Sequence, residues 1–208
     1  MCRKLNVVTL VLKSTRSYRI FRNTPRFYLA LDSHAEMNDL KSLATYLNVP
    51  VAKLSVDQKE KILVWKEKDG KTLRGLISIA KYLSRNSSHH KKFTGETIEE
   101  RAAIDQWLEY RLNNIDRAQH EKDTSTFIKD INAYLEDKVY FVGHQLSLAD
   151  FLLYYGLHNL FRDLTFYEKQ KYMHLSRWFD NVQHAENVRQ TQTLIPFQKN
   201  ILYSGSAH

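Results

Sequence analysis

The 208-residue chain has few of the residues that break or crosslink a fold: three prolines, six glycines and one cysteine, Cys2. A single cysteine cannot form an intramolecular disulfide, and it excludes a structural zinc site built on several thiolates. No apolar run reaches the ~18–20 residues of a membrane-spanning helix, which excludes a membrane-spanning protein. With 43% hydrophobic and 26% charged residues, the composition is that of a globular protein.

Acidic residues are absent from positions 1–31, which contain seven lysines and arginines. Residues 32–208 carry 24 basic and 23 acidic side chains, so nearly all of the net charge of +8 belongs to the N-terminal segment. Composition leaves three interpretations open for residues 1–36: an extension preceding the folded body, an organellar transit peptide, or a basic arm that binds nucleic acid. The nearly neutral body gives no reason to expect nucleic-acid binding by residues 37–208.

The first part of the body combines helical and strand patterns. Apolar residues recur at helical spacing from Leu40 to Leu47 and predict an amphipathic helix, which ends before the next proline. Ile62–Trp65 predicts a short strand, and Asp69-Gly70 is typical of a hairpin turn. Helical spacing resumes over Leu73–Leu83. We therefore expect a small α/β domain at residues 37–88.

The second part of the body carries only helical patterns. The polar segment Ser84–Lys92 lacks periodicity and predicts a linker. Residues 94–208 predict an all-α bundle of five or six helices. Side chains suited to N-capping stand before the first two of these helices, at Thr94 or Thr97 and at Thr124 or Ser125. Two or three further helices are predicted near the C terminus, roughly over Thr165–His174, Ser176–His184 and Asn187–Asn200.

The segment Ser147–Phe161 is apolar on every side, which predicts a helix surrounded by other helices. Ser147 at the N-cap and Asp150 three residues later predict a capping box, in which each side chain bonds the backbone N–H of the other. This structural role accounts for an acidic residue in an otherwise apolar stretch.

No catalytic or metal-binding motif is recognisable. The nine histidines lack metal-ligand spacing, and no glycine motif for nucleotide binding or for a nucleophile elbow occurs. His89-His90 falls in the predicted linker, where a solvated surface is expected, and His158 on the apolar helix is interpreted as a core histidine. The sequence therefore predicts no cofactor and no metal.

Two resemblances to known families refine this interpretation. Val142–Asp150 (VGHQLSLAD) resembles the glutathione-transferase signature that opens the central helix of that fold's all-α domain. Over about residues 40–203 the chain resembles the elongation factor 1 epsilon family, also called aminoacyl-tRNA synthetase complex-interacting multifunctional protein 3. The resemblance implies an α+β, mostly α fold: a truncated thioredoxin-like domain followed by an all-α glutathione-transferase-like domain. Four segments in order carry it: Gln106–Arg111, Tyr134–Tyr140, Asp150–Leu157 and Ser176–Phe179.

The resemblance also implies a function. Such proteins are non-catalytic scaffolds of the cytosolic translation machinery, and some are associated with the nucleus. The small domain would bind the glutathione-transferase-like domain of methionyl-tRNA synthetase, and the helical domain would bind that of glutamyl-prolyl-tRNA synthetase. The resemblance places Arg177 at the second contact. Because Trp178 and Phe179 should point inward, we expect the Arg177 guanidinium to be free to pair with an acidic partner residue.

A degenerate glutathione transferase is the enzymatic alternative. In that family a proline precedes the third strand, and a Glu-Ser or Gln-Ser pair opens the next helix to hold glutathione. Leu63 and Gly75-Leu76 stand at those positions here. The residue that activates the thiol has no clear match, although Tyr28 lies near the right distance before the first helix. These departures favour the scaffold. The remaining alternative is nucleic-acid binding through residues 1–31.

Overall fold

The structure is a computed structural model and describes residues 33–50, 53–67, 70–88, 90–118 and 120–197. The predictions for residues 1–31, including Tyr28, and those for Asp69 and His89 fall outside the described residues. Within the described part, no helix is both long enough and apolar enough to cross a membrane.

A small α/β unit comes first. Its three strands form an antiparallel meander in the order β1-β2-β3, with Ser55 opposite Val64 and Trp65 opposite Leu73. Leu63 and Trp65 lie on the same face of the sheet and join the core beneath the two helices. The elements are α1 (Ser33–Tyr46), β1 (Lys53–Val56), β2 (Leu63–Lys66), β3 (Thr72–Arg74) and α2 (Leu76–Arg85).

The boundaries of this unit differ from the sequence predictions. Helix α1 begins at Ser33, ahead of Met37, so the folded body starts earlier than expected. Strand β1 was not predicted because four residues carry too little alternation to stand out. Leu73 belongs to β3 and not to a helix, because Gly75, with φ +83°, turns the chain before α2 begins. The predicted linker is also shorter, since α2 continues to Arg85 and α3 starts at His90.

The second unit is built from helices, followed by an irregular segment. A π-helical turn, Arg111–Ile115, extends α4. Thr97, not Thr94, caps α4 in a capping box with Glu100, and α5 begins before Thr124. The helices are α3 (His90–Thr94), α4 (Ile98–Tyr110), α5 (Glu121–Tyr134), α6 (Leu148–Asp163), α7 (Phe166–Lys171) and α8 (Met173–His184).

The predicted helix over Asn187–Asn200 is wrong for its described part, residues 187–197. This stretch runs as turns and irregular chain across the helical unit. Asn187 and Gln190 adopt left-handed backbone conformations, with φ of 58° and 49°, which no α-helix can accommodate. The segment is held in place by side chains, because Gln183 exchanges two hydrogen bonds with the backbone of Ile195.

Helix α6 lies at the centre of the molecule and is buried on all sides, as its sequence predicted. It contacts α4 and α8 of the helical unit and also α1 and α2 of the small unit. One hydrophobic core therefore runs through both units. The prediction of a truncated thioredoxin-like domain followed by a helical bundle agrees with this architecture.

A buried ion-pair cluster around Arg111 joins the two units. The Arg111 side chain is 4% exposed; its Nη2 donates to Asp39 Oδ2 of α1 at 2.5 Å, and its Nε lies 3.3 Å from Asp116 Oδ2. Its Nη1 donates to the carbonyl of Leu152 in α6 at 2.5 Å. Burial raises the pKa of Asp39, whereas the adjacent guanidinium opposes that shift. Gly156 leaves room for this arrangement, because a Cβ there would approach Arg111 Nε to 2.9 Å.

Replacing Arg111 should be much more damaging than replacing a comparable surface arginine. Arg74 also bonds two carboxylates, Asp57 and Glu60, but its side chain is 50% exposed. We expect Arg111→Ala to lower the free energy of unfolding by about 3–5 kcal/mol, because two carboxylates lose their buried partner. Arg74→Ala should cost at most about 1 kcal/mol. Urea denaturation of both variants tests this, and equal losses would contradict it.

Candidate partner-binding site

Arg177 lies on the outer side of α8. Leu175, Trp178, Phe179 and Val182 are buried and fix the inner face of this helix at helical spacing. Arg177 is exposed between these buried positions. The expected inward orientation of Trp178 and Phe179 is confirmed, and it leaves the arginine at the protein surface.

The Arg177 guanidinium, however, is not wholly free. Its Nη2 donates to three backbone carbonyls at the end of α5 and in the following turn: Leu135 at 2.7 Å, Lys138 at 3.0 Å and Glu136 at 3.3 Å. The last carbonyls of a helix lack partners within the helix and form its negative end, which attracts a cation. Nε and Nη1 make no hydrogen bond within the described residues. The expectation of a fully free fork is therefore wrong, and two of its three nitrogens are available.

The capping box of α6 holds the helix that carries Arg177. Asp150 Oδ2 accepts hydrogen bonds from the Ser147 N–H at 3.0 Å and the Ser147 hydroxyl at 2.6 Å. Asp150 Oδ1 accepts from Phe141 N–H at 2.9 Å and from Trp178 Nε1 at 2.8 Å. The Ser147 hydroxyl in turn accepts the Asp150 N–H at 3.4 Å. Asp150 thus connects the start of α6 with α8 as well as capping a helix.

Burial raises the pKa of Asp150, and the hydrogen bonds from Ser147, Phe141 and Trp178 oppose that rise. The carboxylate is completely enclosed and its hydrogen-bonding capacity is filled by four donors. We therefore assign Ser147 and Asp150 a structural role, in which they support the surface around Arg177 from beneath.

A groove lies beside Arg177 between α7 and α8. We call this the α7–α8 groove; its volume is about 220 Å³. Met173 is 62% exposed at its edge. Sequence reasoning did not identify the groove, because Phe197 of the irregular C-terminal segment reaches it only through the tertiary fold. Its lining is formed by Lys169, Gln170, Met173, Ser176, Arg177, Asp180 and Phe197.

Apolar side chains or glycine occupy the positions that, by the resemblance, correspond to the glutathione-holding residues of a transferase. Leu63 is completely buried in the core, and its carbonyl accepts the Gly75 N–H at 2.9 Å. Leu76 is buried at the start of α2. None of these side chains offers a donor or acceptor for the γ-glutamyl group.

His158 is a satisfied core histidine, as predicted. Its Nε2 lies 2.9 Å from the Thr193 carbonyl, and burial lowers its pKa. The described part of the chain contains no group of three His, Cys, Asp or Glu side chains arranged to hold a metal ion.

The Arg111 cluster was missed in the sequence. Its one local signal is an arginine within the apolar stripe of a helix, since Leu108 and Ile115 on either side of Arg111 are buried. Nothing in the sequence identifies Asp39, 72 positions away, as its partner.

The four hydrogen bonds of Asp150 should make it more important for stability than an ordinary capping residue. We expect Asp150→Ala to lower the free energy of unfolding by about 3 kcal/mol or more, because several buried donors lose their acceptor. Glu100→Ala, which removes the N3 carboxylate of the more exposed Thr97 box, should cost about 0.5–2 kcal/mol. Thermal and urea unfolding of both variants measures the difference; similar losses would exclude the bridging role of Asp150.

Comparisons with known proteins support the fold and identify relatives. The model of the family described as nuclear-export cofactor Arc1p matches residues 100–186. The GST-like domain of elongation factor 1-gamma from Saccharomyces cerevisiae superposes with a TM-score of 0.62 at 15% identity, covering 78% of this chain and 91% of that one. A glutathione S-transferase from Pichia kudriavzevii gives 0.61 at 20% identity, covering 76% and 94%. These structures confirm the predicted glutathione-transferase-like fold.

Sequence relatives are more informative about the family. Eukaryotic translation elongation factor 1 epsilon-1 of Cricetulus griseus is 44% identical over 169 residues, which covers 81% of this chain and 97% of the relative. The Homo sapiens protein of the same name is 44% identical over 154 residues, covering 74% and 88%. A cytoplasmic glutamate–tRNA ligase of Arabidopsis thaliana is 27% identical over 115 residues, covering 55% of this chain and 15% of the ligase. The chain belongs to the eukaryotic translation elongation factor 1 epsilon-1 family.

Proposed function

We propose that the chain is a non-catalytic scaffold subunit of the multi-aminoacyl-tRNA synthetase complex. The observation that carries this proposal is the 44% identity to elongation factor 1 epsilon-1 across 81% of the chain. Likeness to aminoacyl-tRNA ligases adds support, since the bifunctional glutamate/proline–tRNA ligase of Drosophila melanogaster is 26% identical over 118 residues. Related domains often associate through equivalent surfaces, which makes a synthetase domain of the same fold a suitable partner.

Two partners fit the two structural units. In our proposal, the small domain binds the glutathione-transferase-like domain of methionyl-tRNA synthetase. The small domain begins at Ser33 and not at residue 37, because α1 begins there. The helical domain, residues 94–208, binds the corresponding domain of glutamyl-prolyl-tRNA synthetase. We propose a cytosolic location, with the nucleus as a second one, and no direct contact of the body with nucleic acid.

The residues at the expected substrate positions support a non-catalytic role. A transferase must hold the glutathione backbone and lower the pKa of its thiol. Leu63, Gly75 and Leu76 supply no polar side chain for the first task, and the fold encloses Leu63 and Leu76 in the core. A scaffold retains the surfaces of the fold without needing this chemistry.

Arg177 is proposed to contact the glutamyl-prolyl-tRNA synthetase domain through Nε and Nη1, while Nη2 stays on the α5 carbonyls. Each of these two nitrogens can donate a charge-assisted hydrogen bond to a partner carboxylate, but they lie on opposite edges of the guanidinium and do not both reach one carboxylate. The three carbonyl bonds hold the guanidinium in one orientation, so less side-chain freedom is lost on binding.

Arg177→Ala should weaken binding of the glutamyl-prolyl-tRNA synthetase domain by at least about 30-fold, because a partner carboxylate is left unpaired at the interface. Binding of the methionyl-tRNA synthetase domain should stay within about twofold. Calorimetric titration of each partner domain measures both. Arg162→Ala, an exposed arginine elsewhere on the helical domain, serves as the matched control.

Titration of two partner domains distinguishes a direct contact of Arg177 from an effect on the stability of the chain. Equal losses for both partners would indicate that Arg177 acts through stability, by way of the α5 carbonyls, and would refute a direct contact. Unchanged binding of both partners would show that Arg177 is a surface residue that contacts neither partner. Unfolding curves of the same samples show whether Arg177→Ala lowers the stability of the chain, as the first outcome requires.

The purified full-length chain should not accelerate the conjugation of glutathione to a standard aryl halide electrophile above the uncatalysed rate. The physical reason is the replacement of the family's proline by Leu63 and of its polar Glu-Ser or Gln-Ser pair by Gly75-Leu76. Spectrophotometric assay at millimolar glutathione tests this. Turnover that disappears in Tyr28→Phe would establish the transferase alternative instead.

A further inference from the structure

The α7–α8 groove contains a buried cation without an acidic partner. Lys169 is only 7% exposed. Its Nζ reaches the Pro196 carbonyl at 3.4 Å and lies 5.6 Å from the centre of the Phe197 ring. No carboxylate of the described residues comes within 4 Å of it. Charges with little access to water are ordinarily paired in proteins, whereas this ammonium lines the groove with no carboxylate of the described residues beside it.

The charged side chains that line the groove leave an excess of positive charge. Arg177 adds a second cation with two available nitrogens. Among the described residues of the groove, Asp180 is the one acidic side chain, and its Oδ1 accepts from Gln183 Nε2 at 2.7 Å and lies 3.3 Å from His184 Nδ1. The removal of Lys169 from water lowers the pKa of its amine, which reflects the unfavourable position of the charge. A carboxylate entering the groove would relieve it.

The rest of the described lining combines two apolar side chains with the polar side chains of Gln170 and Ser176. Met173 and Phe197 form its apolar part, and the volume of about 220 Å³ is below the range of typical small-molecule sites. The space suits one or two side chains of a protein better than a cofactor. Methionine is common at surfaces that adapt to a partner.

We propose that the α7–α8 groove binds an acidic segment of a partner protein, in which a carboxylate pairs with Lys169 and an adjoining aliphatic or aromatic side chain packs on Met173 and Phe197. The inference deepens the proposed function and rests on it, because Arg177 lies on the same groove. It adds Lys169 as a binding residue and defines the chemistry of the segment that the helical domain recognises.

Lys169→Met tests the charge while keeping most of the apolar stem. The matched control is Lys171→Met, an exposed lysine of the same helix. Titrated with the glutamyl-prolyl-tRNA synthetase domain, Lys169→Met should lose affinity by more than about tenfold, since a buried charge pair contributes more than a surface pair. Lys171→Met should change affinity by less than about twofold. Equal effects of the two variants would overturn the inference while leaving the scaffold function intact.

A second probe separates failure of the inference from failure of the proposed function. The methyl resonances of the three methionines are followed by NMR as a blocked peptide of glutamate and leucine is added to the full chain. The Met173 resonance, assigned with Met173→Leu, should shift with this peptide, but not with the matched glutamine–leucine peptide, and not in Lys169→Met. That result would support binding of an acidic segment in the groove even if the synthetase domain does not bind. The absence of a shift with either peptide would overturn the proposal.

A second copy of the chain is the competing occupant. It would appear as dimerisation of the unliganded chain that Lys169→Met abolishes in sedimentation velocity. That outcome would also overturn the proposal of a partner segment.

Discussion

The buried contact between Arg111 and Asp39 is the constraint on which the arrangement of the two units depends. An arginine enclosed in the core is tolerated only where its charge and its donors are satisfied together. Asp39 from α1, Asp116 from the end of the π-helical turn and the Leu152 carbonyl of α6 do this jointly. A shift of the small unit relative to the helical one would break the cluster, so the ion pair fixes their mutual orientation.

The candidate interface depends on the same core. Helix α6, whose Leu152 carbonyl contacts Arg111, begins at the capping box of Asp150. Asp150 in turn holds Trp178, and Trp178 precedes the buried Phe179 on the inner face of α8. The outer face of α8 presents Arg177. Helix α6 and its buried polar contacts therefore connect the junction of the units with α8, which carries the surface where we propose that a partner binds.

Much of the fold could be predicted because its signals are local. The capping box of α6 lies within four residues, and the apolar surface of that helix within sixteen. Short strands such as β1 and contacts between distant residues, such as Asp39 with Arg111, leave no comparable local pattern. The bonds of the Arg177 guanidinium to the α5 carbonyls could not be predicted, because tertiary packing places the turn after α5 beneath the arginine. The helix predicted after Asn187 failed for a related reason, since side-chain bonds from Gln183 hold that segment in an irregular path.

The central claim is that this chain works by assembling with synthetase domains of its own fold class. The most direct measurement is affinity purification of the tagged full-length protein from its own cells, followed by mass spectrometry. The account predicts that methionyl-tRNA synthetase and glutamyl-prolyl-tRNA synthetase are both recovered, in amounts comparable to the tagged chain. Recovery of the chain without either synthetase, from a lysate in which both are present and intact, would contradict it.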